Sequence, residues 1–132
     1  MHDLHIIDFC KDTTKAFISL YKQFPIKTIV YIEDISGPDT PDEFGLHSRR
    51  HNSCFSTLIW LAEAGYISYS QPVRQEAIEE AVLTVKAFTY LTSRIDAGGI
   101  TRIEQLEDAL KNKSSDTLKA ILLKTFMDIE NP

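Results

Sequence analysis

Three residues with the chemistry of metal ligands stand close together in this chain: His47, His51 and Cys54. Their i, i+4, i+7 spacing puts all three on one face if the stretch is helical. Imidazole nitrogen and thiolate sulfur are good zinc ligands. Yet no glutamate follows His47 as in the zinc proteases, and no paired cysteines occur at metal-site spacing. A small buried role for Cys54 and a place for His51 at the edge of a core account for both without a metal. The sequence therefore predicts no metal ligand set, no cofactor and no stoichiometric zinc. Nucleophilic chemistry fares no better. No serine occupies a Gly-x-Ser-x-Gly elbow, Gly98-Gly99 lacks the Lys-Ser or Lys-Thr of a phosphate loop, and Cys54 with His51 lacks a third, orienting group. The acids Glu33, Asp34, Asp39, Asp42 and Glu43 do not alternate as calcium-loop ligands do. The expectation is that this chain is no enzyme.

Composition sets the frame for these residues. A length of 132 residues suits a single domain spanning 1–132, and 43% hydrophobic residues can build a core without staples. The net charge is −5, whereas dedicated nucleic-acid binders are usually basic. Cys10 and Cys54 are the only cysteines, which suits free thiols in a reducing compartment. Asp3 and Asp8 interrupt the apolar start, so no signal peptide is expected, and no run is long enough to span a membrane. These features point to a cytoplasmic protein with no membrane partner.

The elements that position the residues can be read from periodicity and punctuation. Residues 3–24 carry an apolar stripe at three- and four-residue steps, including Phe9, Phe17, Leu20 and Phe24, and Pro25 ends the helix. His2 and His5 fall at its start as surface residues. The β-branched and aromatic run at 28–32 predicts a short strand. In the acidic stretch, Asp39 followed by Pro41 suggests a cap opening a short helix to about residue 46. Ser48 caps a central helix over 48–64, with Cys54, Leu58, Leu61 and Ala62 inward, and Gly65 stops it. Residues 66–70 and 76–83 form a hairpin whose tip is 71–75. Thr84 caps a helix to about Ile95, with Val85, Phe88 and Leu91 at apolar positions. Thr101 with Glu104 makes a capping box for a helix over 101–112, and the last helix spans 116–129.

The order helix, Gly stop, strand, turn, strand, then Leu83-Thr84 opening another helix resembles the winged helix-turn-helix of bacterial transcriptional regulators. Leu58, Leu61, Gly65, Tyr66, Ile67, Leu83 and Thr84 carry the resemblance, over about residues 25–95; Lys86-Ala87 stands where the family often has Lys-Gly. It implies an α+β, mostly helical fold. A winged-helix core with a short β-hairpin wing is flanked by one N-terminal helix and two C-terminal helices.

The resemblance also implies double-stranded DNA as partner, with the central helix entering the major groove. Its outward side then offers Arg49, Asn52, Ser53 and Ser56 to base edges, and Arg50 or the wing-tip Arg74 to phosphate. Trp60 lies toward the same polar side, where a neighbouring element is expected to cover it. The rival expectation is a protein-interaction module that keeps the scaffold without DNA, since the same fold hosts both. Charge around Arg49 and Arg74 discriminates between them: acids crowding that face favour the rival. The long apolar stripes of the first and last helices exceed what one small core can cover, which predicts a homodimer built from them.

Overall fold

The computed structural model describes residues 4–132, so His2 and the expected helix start at residue 3 lie outside the described residues. The chain is α+β and mostly helical, with six helices and a small antiparallel sheet among the described residues. Helix α1 (Leu4–Gln23) buries Cys10, Ala16, Phe17 and Leu20 and ends just ahead of Pro25. Strand β1 (Thr28–Tyr31) leads straight into a single helical turn, α2 (Ile32–Ser36). Helix α3 (Arg49–Glu63) follows after an irregular segment, residues 37–48. Its cap is the expected one, Ser48 Oγ accepting from the His51 amide at 3.2 Å. Gly65 ends α3 at φ +88°, a backbone angle that side chains disfavour.

The sheet is built on β4 (Ala77–Leu83). On one edge β1 pairs with it; on the other lie β2 (Ile67–Ser68) and β3 (Gln71–Val73), which take the two ends of β4 in turn. The β1–β4 register slips between Thr28 and Val30, and Glu80 sits beside that slip at φ +54°. This is the bend of a β-bulge. Thr84 caps α4 (Val85–Thr92), the Thr101–Glu104 capping box opens α5 (Arg102–Asn112), and Ser114 caps α6 (Ser115–Glu130).

Several boundaries differ from the sequence reading for identifiable reasons. No helix forms over 39–46. Asp39 spends its carboxylate on the start of α3, and Asp42 Oδ1 accepts from the amides of Phe44 and Leu46, closing a turn that Gly45 completes at φ +78°. The helical turn falls earlier, at α2, where Glu33 and Asp34 in the first turn complement the positive helix end. The hairpin tip is shorter than 71–75, because Gln71–Val73 pairs with Glu79, Ile78 and Ala77 and leaves residues 74–76 as the turn. Helix α4 stops at Thr92. Beyond it Arg94 bridges to Thr101 and the Ile95 amide donates to Ile100, so Ile95 belongs to a loop; Val85 faces solvent.

One core joins all of these elements. Phe17, Leu20, Ile32, Leu58, Leu61, Ile78, Leu91, Leu106 and Leu122 are fully buried in it together. Helix α1 runs through the middle, packing on α3, α5, α6 and β4. Both flanking apolar stripes are consequently spent inside this chain: Phe17 and Leu20 from α1, and Leu118, Leu122 and Ile129 from α6, are buried, with Phe9, Phe24, Ile121 and Phe126 packed beside them. Trp60 is covered on one side only. Phe9 and Phe126 meet it edge-on at 5.4 and 5.8 Å, and 45% of it stays exposed.

Candidate functional site

The amino end of α3 gathers the chemistry-bearing side chains, and three separate segments build it. From the irregular segment, Asp39 Oδ2 accepts from His47 Nδ1 at 2.8 Å and from the Ser48 amide at 3.1 Å. From the β3–β4 turn, Glu76 Oε2 meets His47 Nε2 at 2.5 Å, and the Gln75 carbonyl meets His51 Nε2 at 2.8 Å. From the helix, His51 stacks its ring on His47, with centroids 3.7 Å apart and planes 8° from parallel. The His51 Nε2 partner is a carbonyl, so that nitrogen carries the proton and Nδ1 has the lone pair. His51 is 1% exposed, and its Nδ1 has no hydrogen-bond partner among the described residues.

Charge follows from this geometry. Both ring nitrogens of His47 face carboxylates, and only the imidazolium can donate to both. Glu76 first, and Asp39 second, raise the His47 pKa above its ordinary value by hydrogen bonding to the charged form. Asp39 is drawn down to about 2, chiefly by the Ser48 hydroxyl, then by His47 and the Ser48 amide.

In the same first turn of α3, Arg50 reaches back to α1. Its Nη1 and Nη2 donate to the two oxygens of Asp12 at 2.7 and 2.6 Å, and its Nε lies 3.7 Å from Asp8. Asp12 is completely buried, so the arginine is its counter-charge. Arg50, which the resemblance offers to phosphate, is held against the protein by a bidentate pair with a buried carboxylate. Cys54 sits next to this pair in the core. Burial above all, and then the Asp12 charge, push its thiol up to about 12, which leaves it an inert core residue.

The other expected DNA-facing residues are spread out. Arg49 and Asn52 are exposed; the Asn52 amide also lies 3.4 Å from the His47 carbonyl. Ser53 and Ser56 face a groove of about 290 Å³ whose opposite wall is α1, through His5, Ile6 and Phe9. Arg74 stands at the exposed hairpin turn at φ +52°. Thus the outward face of α3 is open at Arg49 and Asn52, and the first half of α1 flanks it at Ser53 and Ser56.

Of the expected trio, only two meet. His47 and His51 share their cluster with Asp39, each of the three placing one ligand-type atom within 4.8 Å of the others, while Cys54 belongs to the core. Sequence reasoning missed Asp39, Gln75 and Glu76 as partners. Asp39 read as a helix cap and Glu76 as a strand acid, and nothing in a linear pattern links positions so far apart. No family model, curated protein or solved structure matches this chain.

Proposed function

We propose that this chain is a cytoplasmic protein-interaction module on a winged-helix-like scaffold. The observation that carries this reading is the charge at the amino end of α3. Arg50 is consumed by Asp12 and Asp8, and Asp39 and Glu76 stand around His47 at the helix start. A helix that enters a DNA groove there would bring these carboxylates toward phosphate, which is unfavourable. The scaffold reading is supported by the element order and by β4 pairing with β1 on one edge and β2 on the other. The segment 37–48 between α2 and α3 departs from it, since a helix-turn-helix uses a turn of about 3–4 residues. Exposed apolar side chains offer contact area: Tyr31 and Val73 both stand opposite Ala77, one on each side of β4, and Ile29 lies on the same strand as Tyr31. Among the described residues no helix is long and apolar enough to cross a membrane.

DNA binding is the second reading, favoured by the exposed Arg49, Asn52 and Arg74. Fluorescence anisotropy with random duplex DNA across a salt series separates the two. The interaction reading expects weak binding at low salt that Arg49→Ala and Asn52→Ala leave unchanged. Tight binding with a steep salt slope, and a loss of about 1–3 kcal/mol in each variant on a preferred sequence, would establish the DNA reading instead.

A further inference from the structure

The His47–His51 stack carries an inference about metal. We propose that Asp39, His47 and His51 form a binding site for a divalent transition metal of the zinc class, with Glu76 and the Gln75 carbonyl as the outer partners of the two imidazoles. Two imidazoles and one carboxylate are a donor set that zinc, cobalt and nickel ions favour. The three residues place one donor atom each within 4.8 Å of one another. His51 is 1% exposed, yet its Nδ1 is without a partner, a lone pair desolvated with nothing to accept from. Metal-bound histidines hold their other ring nitrogen on a carbonyl or carboxylate. Both histidines here do so, His51 Nε2 on the Gln75 carbonyl and His47 Nε2 on Glu76. Adjacent residues of one turn thus fix both Nε2 atoms, while His51 Nδ1 is unpartnered and His47 Nδ1 faces Asp39, the third donor.

The fit requires a small rearrangement. Tetrahedral bonds of about 2.0–2.1 Å set ligand atoms about 3.3 Å apart. The 2.8 Å contact between Asp39 and His47 must open slightly, and the parallel rings must splay so that both lone pairs aim at one point. The metal takes the place of the Nδ1 proton of His47, which leaves to solvent. The carboxylates of Asp39 and Glu76 offset the positive end of α3 that would otherwise repel a cation. This reverses the expectation of no zinc. The sequence spacing offers Cys54 as the third ligand, whereas the fold supplies Asp39.

Titration of the full chain with Co²⁺ and Zn²⁺, followed by visible absorption and calorimetry, tests the site. One equivalent should bind, with ligand-field bands and no thiolate charge-transfer band, and with the same affinity in Cys54→Ser. Asp39→Asn and His51→Gln should each abolish stoichiometric binding, and Glu76→Gln should weaken it about 10–100-fold. His51 is buried, so a circular dichroism check accompanies that variant; Asp39 lies outside the core, and its variant decides the matter alone if His51→Gln fails to fold. Substoichiometric uptake by the parent chain, or undiminished uptake by Asp39→Asn, overturns the proposal and leaves the cluster as a proton-bridged clamp.

Discussion

Arg50 and Arg49 are neighbours of the same type with opposite fates. Arg49 is exposed, while Arg50 pairs in bidentate fashion with Asp12, which is 0% exposed. Removing Arg50 leaves a buried carboxylate without its counter-charge. Arg50→Ala should therefore destabilise the fold by about 3–5 kcal/mol, toward the lower end because a third of the arginine side chain reaches water. Arg49→Ala should stay within about 0.5 kcal/mol of the parent. Urea midpoints of the two variants check this; equal shifts would mean that the pair contributes nothing. A periodicity argument cannot separate these two arginines, because the distinction lies in a partner 38 positions away on α1.

Helix α3 is the element on which the reading of function turns, and its inward face matches expectation. Cys54, Leu58 and Leu61 are each fully buried, as their spacing requires. Leu58→Ala and Leu61→Ala should each cost about 2–5 kcal/mol, measured by chemical denaturation, because the close-packed surroundings relax only partly around the cavity. A negligible shift in both would show that the face is inverted. The outward face is exposed at Arg49, Asn52 and Ser56, as its polar residues suggest, yet α1 stands beside Ser53 and Ser56 and forms a groove with them. Polarity describes what a helix face can tolerate and does not describe what lies opposite.

Across the whole molecule, the flanking helices bear on the oligomeric state. The expectation of two-fold pairing rested on apolar stripes too large for one small core. In the fold, α1 runs through the centre and α6 closes over it, so that core is larger than residues 25–95 alone could build. What remains outside on α6 is Leu123 and Met127, 43% and 66% exposed. Static light scattering at micromolar concentration should accordingly give a mass near the 15.0 kDa of one chain. Twice that mass would restore the homodimer, and Leu123→Glu with Met127→Glu would then locate its seam by dissolving it.

Local signals in the sequence determined local structure. Ser48, Thr84 and Thr101 were legible as helix caps, Gly65 as a stop and the hairpin as a hairpin, because each depends on hydrogen bonds or backbone angles within a few residues. The helical spacing of Phe17, Leu20, Leu58 and Leu61 determined which faces turn inward. Only the tertiary structure decided what those faces and caps meet. It sent Asp39 to His47 instead of to a helix of its own, set Glu76 and Gln75 against the two histidines, and placed Asp12 beneath Arg50. These are pairings between segments distant in the chain. Charge and hydrogen bonding act through space, so the partner of a polar side chain is settled by how the elements pack and not by its neighbours in sequence.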